Sequence, residues 1–205
     1  VGHFVVVEGG DASGKSTQTR LLVERLRAHG RDVVPTFEPG ATETGAAIRA
    51  VLLDGTAAVD PITETLLLAA DRAQEVADII RPALERGADV VSDRYVPSSL
   101  AYQGIGRRVE IDKVETLNRW ATGGLEPDLV VVLDIGDAVA ASRRAGPGDR
   151  LERAGAEFHA AVRGAYRTLA GDRGWVLIDG EGEIAAVAER VWEAVRGRLG
   201  LEAAG

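Results

Sequence analysis

Two glycines five positions apart, Gly9 and Gly14, are followed at once by Lys15 and Ser16, with Gly10, Asp11, Ala12 and Ser13 between them. This is the spacing of a phosphate-binding P-loop, in which consecutive backbone N–H groups, here from Gly9 to Thr17, form an anion cradle. Lys15 is then placed to reach the β- and γ-phosphates of ATP, and the Ser16 hydroxyl to ligate Mg2+. Phe4 to Val7 gives an apolar strand before the loop, and Leu21, Leu22, Val23 and Leu26 give an amphipathic helix after it. The N-terminus of that helix therefore also faces the anion. A glycine turn that only capped a helix would need neither lysine nor serine in this order. The motif specifies a nucleoside triphosphate and leaves the reaction open.

Asp93 ends the apolar run Val90-Val91-Ser92 and is a second candidate for holding magnesium, directly or through water. It is followed by Arg94, where a nucleotide-hydrolysing motor carries a water-activating glutamate. A guanine-reading Asn-Lys-x-Asp is missing too, because the only lysines are Lys15 and Lys113, and Lys113 lies between Asp112 and Val114. What remains is transfer to a second, anionic acceptor. That reaction needs cations for the acceptor and for the charge on the migrating group, and the bidentate fork of arginine suits both. A charge pair about 4 Å apart gains about 4 kcal/mol at an effective dielectric of 20. Arg49, Arg72 and Arg94 lie on or near successive helical segments, while Arg143, Arg144, Arg150 and Arg153 flank Gly146-Pro147-Gly148. The second group is placed to supply from a closing lid the arginine that the P-loop lacks. Any one of these arginines taken alone reads most simply as a solvated side chain on a helix face.

The elements that must position these groups follow from periodicity. Short β-branched runs at His3–Glu8, Asp32–Phe37, Ala88–Asp93, Leu129–Asp134 and Trp175–Asp179 read as buried parallel strands. Helical patterns separate or follow them at Lys15–His29, Pro61–Arg86, Ile111–Thr122, Ala154–Ala170 and Glu183–Leu199. Alternation of this kind predicts one α/β domain over residues 1–205, a five-stranded parallel sheet with helices on both faces. Gly30, Gly87 and Gly174 stand where helices should stop, and ligands are expected at the carboxyl ends of the strands. Ala145–Asp149 is the expected mobile loop of a short lid over about residues 141–153, and Glu202–Gly205 should fray.

Composition excludes several other chemistries. There is no cysteine, so disulfides, thiolate metal sites and thiol nucleophiles are ruled out. His3, His29 and His159 lack ligand spacing and receive no role. A net charge of −8 argues against nonspecific nucleic-acid binding. No apolar run approaches the roughly 18 residues that span a bilayer, so no membrane partner is expected. A loop this close to the first residue leaves no room for a targeting peptide, and the chain reads as cytoplasmic.

Along nearly its whole length the sequence resembles the bacterial thymidylate kinase family. The matching stretches are Glu8-Gly9-Gly10-Asp11, Glu38-Pro39-Gly40, Ala69-Ala70-Asp71-Arg72-Ala73-Gln74, and Asp93-Arg94-Tyr95 with Ser98-Ser99-Leu100-Ala101-Tyr102-Gln103-Gly104. Asp149-Arg150-Leu151-Glu152-Arg153 before Phe158-His159 adds to them. The resemblance implies a P-loop kinase core, homodimeric, that converts dTMP to dTDP with ATP and Mg2+ for dTTP synthesis. It implies a catalytic set of Lys15, Asp11, Arg94 and the lid arginines Arg143, Arg144 and Arg150. Arg72 and Arg94 would clamp the dTMP phosphate with help from Arg49. Ser99 and Gln103 would bond the thymine edge, Tyr102 would crowd the sugar 2′ position, and Glu38 and Ser98 fall in the same substrate-binding set. The apolar stretches Ile48–Leu53 and Thr65–Ile80 would form the dimer face, and Gly180–Glu183 lies where adenine contacts are expected. Leu68 stands where the family commonly has a thymine-stacking aromatic, and Phe37 where arginine is common. Phe37 either lines the base site or packs in the core. A kinase for another deoxynucleoside monophosphate and a non-catalytic ATP-binding module are the alternatives.

Overall fold

In the computed structural model, which describes residues 2–54, 58–143 and 148–201, five parallel strands form one sheet. They are β1 (Phe4–Gly9), β2 (Val33–Phe37), β3 (Asp89–Asp93), β4 (Leu129–Asp134) and β5 (Val176–Asp179), in the order β2-β3-β1-β4-β5. The expected α/β architecture is therefore present. Register places Val7 beside Asp93 and Gly9 beside Leu133, so the ends of β1 and β3 deliver the glycine loop and Asp93 to the same edge.

Alternate side chains of each central strand enter different cores. Phe4, Val6, Val90, Val130 and Val132 face α8 (Ala156–Arg173) and the buried helices around Val76, Leu100 and Val114. Val5, Val7, Val91, Val131 and Leu133 face α1 (Lys15–Ala28) and α9 (Ile184–Leu199). Both faces of the strands are apolar because both are covered, which is why the strands read as continuous runs. A small third cluster joins Leu52, Leu53 and Leu68, with Leu151 packed against it.

Helix stops fall where expected, with φ of +77° at Gly30, +85° at Gly87 and +68° at Gly174. The long pattern from Pro61 is α3 (Pro61–Glu75), a π-helical turn over Val76–Ile80, and α4 (Arg81–Glu85). Asp60 caps its start by accepting from the Ile62 and Thr63 N–H groups. Three further helical pieces complete the fold, the first two near the segments on which Arg49 and Arg94 were expected. α2 (Glu43–Arg49) continues as a π-helical turn to Asp54. α5 (Val96–Ser99) continues as a π-helical turn over Leu100–Gly106, and α7 (Asp137–Arg143) follows β4. α5 begins at Val96-Pro97, a position that suits proline, and its buried Leu100, Ala101 and Tyr102 pack with α8 residues. α6 (Ile111–Thr122) lies as expected, and Glu152–Ala154 forms one 3-10 turn ahead of α8. Of the expected lid, residues 144–147, including Arg144, lie outside the described residues, as do Glu202–Gly205.

Candidate active site

The loop after β1 is shaped by backbone conformations that side chains resist. Gly9 has φ +142°, and a methyl there would stand 2.5 Å from the Leu133 carbonyl oxygen. Gly14 has φ +94° and opens α1, while Ala12 holds φ +64° between them. Successive N–H groups in such a chain form a concave anion site at a helix N-terminus. Lys15 Nζ donates to the Gly10 carbonyl at 2.9 Å and is buried. Burial first, then the Arg94 charge, lowers its pKa to about 8 against the opposing pull of Asp93, Asp11 and Glu8. Among the described residues Lys15 makes no direct ion pair, and its burial is a cost that a bound polyphosphate would offset.

Ser16 Oγ donates to Asp93 Oδ2 at 2.6 Å, joining the two groups expected to hold metal. Asp93 Oδ1 is buried and has no partner among the described residues. Beside them Arg94 Nη2 donates to Asp11 Oδ1 at 2.7 Å, Nη1 to Ser98 Oγ at 3.1 Å, and Tyr102 O–H to Asp11 Oδ1 at 2.8 Å. Burial alone would raise the Asp11 carboxyl, but His159, Arg94, Lys15 and Tyr102 outweigh it and hold Asp11 well below the usual carboxylate range. Arg94 itself has φ +79°, a left-handed backbone that costs a side-chain-bearing residue roughly 1–2 kcal/mol.

One cleft of about 860 Å³ brings together the groups the sequence singles out. Asp11, Ala12, Gly14, Lys15, Ser16, Thr17 and Asp93 line one end, with Gly9, Gly10 and Ser13 buried beneath. Phe37, Glu38, Arg49, Leu68, Arg72, Ser98, Ser99, Tyr102 and Gln103 line the other, and Arg94 also lines it. Phe37 is 47% exposed there. The core alternative for this residue is thereby corrected: Phe37 ends β2, and its ring opens onto the cleft.

Arg72 is only 1% exposed, and its five N–H donors are all engaged. They reach both Glu38 oxygens, Ser99 Oγ, Asn118 Oδ1 and the Tyr95 carbonyl. Arg49 Nη1 donates to the Pro39 carbonyl at 2.8 Å. Arg150 turns away from the glycine loop, donating to Glu64 at 2.6 Å and to the Leu52 carbonyl at 2.6 Å. Arg143 donates to the Gly180 carbonyl at 3.1 Å, beside the segment expected near adenine.

Two residues belong to this machinery that the sequence did not disclose. His159, to which no role was given, is fully buried, with Nε2 2.8 Å from the Glu152 carbonyl and Nδ1 3.3 Å from Asp11 Oδ2. A carbonyl only accepts, so Nε2 carries the hydrogen. The imidazole therefore bonds to the 3-10 turn on the lid side and lies against Asp11 of the glycine loop. Glu8, also fully buried, accepts from the Tyr95 and Ser98 N–H groups and from the Ser98 and Tyr166 hydroxyls. It fixes the corner after β3 that carries Arg94. Both fall in stretches that match the family, Glu8-Gly9-Gly10-Asp11 and Phe158-His159, but neither was given a role, because the partners that define it are distant in sequence.

The sheet, the glycine loop and the adjoining acceptor recess define a P-loop nucleotide phosphotransferase. A family profile described as thymidylate kinase matches residues 7–191. The thymidylate kinase of Halothermothrix orenii is 44% identical over 203 residues, covering 97% of this chain and 98% of that protein. That of Leifsonia xyli subsp. xyli is 44% identical over 202 residues, 97% and 96% of the two chains, and that of Clavibacter sepedonicus 48% identical over 172 residues, 82% of each. The chain belongs to the thymidylate kinase family.

Proposed function

We propose that the chain transfers the γ-phosphoryl group of ATP to dTMP, giving dTDP, with Mg2+ as the metal. The observation that carries this reading is the continuity of one cleft lined by Lys15 and the glycine loop, by Arg94, and by Phe37, Leu68, Ser99 and Gln103. Phosphoryl transfer asks a protein for positioning and charge stabilisation more than for covalent chemistry. The attacking oxygen of a monophosphate is already anionic, so no side chain has to remove its proton. An ionised Asp11 fits that requirement, since it orients Arg94 and Tyr102 and has no proton to give. With every donor of Arg72 engaged, the acceptor phosphate falls to Arg94 with Arg49, and Arg72 orients Ser99. Arg150 can meet the migrating group only by leaving Glu64.

The residues present fit magnesium. Ser16 and Asp93 offer hard oxygen donors, one of them the orphaned Asp93 Oδ1. Among the described residues no three carboxylate, histidine or cysteine side chains form a metal cage, as suits an ion that takes most of its ligands from phosphates and water. Bound there, the ion would neutralise charge on the phosphate oxygens.

The recess favours thymine. Ser99 Oγ accepts from Arg72 Nη1 at 3.0 Å, which leaves its own hydrogen to donate to a base carbonyl. Leu68 and Phe37 supply apolar surface for the ring, and Tyr102, which lines the same cleft, would stand beside the sugar. A homodimer is also proposed, because Val51, Ile62 and Leu66 leave apolar side chains exposed along the π-turn after α2 and along α3. Sedimentation at the mass of one chain would overturn it. The activity is tested by steady-state phosphorylation of dTMP, dUMP, dCMP and dGMP, with dTMP expected to be turned over best. Equal or better turnover of another monophosphate would overturn the substrate, and ATP binding without acceptor-dependent ADP release would leave only a binding module.

A further inference from the structure

Glu64 lies in the first turn of α3, is fully buried, and is the meeting point of three segments distant in sequence. Its Oε1 accepts from Gln103 Nε2 at 2.9 Å and Arg107 Nε at 3.2 Å, and its Oε2 from Arg150 Nη2 at 2.6 Å and Arg107 Nη2 at 3.3 Å. Every contact is made by a donor. The orientation of the Gln103 amide is consequently not free: turning it over would set its oxygen against a carboxylate oxygen, leaving two buried acceptors face to face. Gln103 Oε1 is left on the other side, buried at a residue that lines the cleft, and it accepts no hydrogen bond among the described residues. A buried acceptor without a partner is a demand for a donor.

We infer that Glu64 is a positioning residue for base selection, which fixes the Gln103 amide so that its oxygen alone is offered to the ligand. This rests on the thymidylate reading above. A pyrimidine with a ring N–H beside a carbonyl meets both the Gln103 oxygen and the Ser99 hydroxyl. Thymine and uracil present that pair, N3–H and O4. Cytosine presents the reverse, a bare N3 beside an amino group: the Ser99 hydroxyl can turn to accept from the amino group, but the Gln103 oxygen is left facing N3, acceptor against acceptor. Selection against cytosine is thus written one residue behind the recess, in a carboxylate that need not touch the substrate.

The test is the ratio of kcat/KM for dTMP to that for dCMP in the wild-type protein and in Glu64→Gln. The amide introduced there can donate as well as accept, so the Gln103 amide is released to turn over. The ratio should fall by about tenfold or more, given what an unpaired buried polar group costs. Because Glu64→Gln also frees Arg150, Arg150→Gln is measured beside it: this change should lower turnover of both acceptors and leave their ratio in place. An unchanged ratio in Glu64→Gln, with both turnover rates reduced alike, would overturn the inference and make Glu64 structural only. Should that variant not fold, the wild-type protein still decides the matter through the imino proton of bound 15N-labelled dTMP. A protected, downfield N3–H resonance supports the inference, and exchange as fast as in free dTMP overturns it. Failure of the wild-type protein to phosphorylate dTMP at all would instead remove the substrate reading on which the inference stands.

Discussion

Replacing Arg94 by glycine and, separately, by alanine divides what its guanidinium does from what its backbone costs. Arg94 sits at φ +79°, held there by its N–H on the Val7 carbonyl and by the Ser92 hydroxyl on its own carbonyl. Any residue with a Cβ bears roughly 1–2 kcal/mol in that conformation. Glycine escapes the penalty but gives back about 0.4–1 kcal/mol through its greater freedom in the unfolded chain. Both variants lose the same ion pair with Asp11 and the same bond to Ser98, so those losses cancel in the comparison. The glycine variant should therefore be more stable than the alanine variant by about 0.5–1 kcal/mol. Both should lose kcat by about 10³ or more, the scale of an arginine that meets charge in phosphoryl transfer. Urea denaturation gives the first quantity, and steady-state ADP release with saturating dTMP gives the second. An alanine variant as stable as the glycine one would refute the strain argument, and a wild-type kcat in either would refute the role given to the guanidinium.

Three further outcomes are expected. Burial, then the neighbouring Glu38 charge, pushes the Asp71 carboxyl up to about 6, so Asp71 favours the folded chain most below its unfolded pKa of 3.8. That contribution is lost as pH rises from about 4 to 6 and amounts to about 3 kcal/mol. Asp71→Asn should flatten the fall in stability across this window, and denaturation midpoints at pH 4, 5, 6 and 7 check it; a fall as steep as wild type would count against it. His159→Ala should lower kcat/KM for dTMP about tenfold and make the chain near Gly148–Ala154 more sensitive to limited proteolysis, since the tie to the Glu152 carbonyl and the packing against Asp11 are lost. Unaltered cleavage would show the tie to be idle. Phe37→Ala should raise KM for dTMP about fivefold and leave KM for ATP unchanged, for the loss of about 1 kcal/mol of ring contact. An equal rise in both would place the ring elsewhere.

The strands, the glycine loop, Ser16 with Asp93, and the presence of Arg49, Arg72 and Arg94 near one another were legible because each is written within a few neighbouring residues or in a strong period; the lid arginines were not, since their contacts depend on the whole fold. Phe37 was legible only as a pair of alternatives, since a residue at a strand end gives no sign of whether its ring meets core or cleft. Glu8, Glu64 and His159 stayed out of sight for a common reason. Their partners lie 39 to 158 positions away or on a turn whose placement depends on the whole fold. A glutamate in the first turn of a helix reads as ordinary dipole compensation, and a histidine on an apolar helix face reads as packing. The π-helical turn over Leu100–Gly106, which sets Tyr102 and Gln103 on the cleft, has no local signature beyond the apolar residues that bury it.

The two cores divided by the sheet give neighbouring residues of one strand different constituencies. Val5 and Val7 serve the side that seats α1, while Phe4 and Val6 serve the side on which α8 and Tyr102 lie. Sequence drift among the residues under Tyr102 can reshape the recess that chooses a base while the seat of the triphosphate stays as it was. A scaffold partitioned in this way can trade one acceptor for another without relearning how to hold its donor.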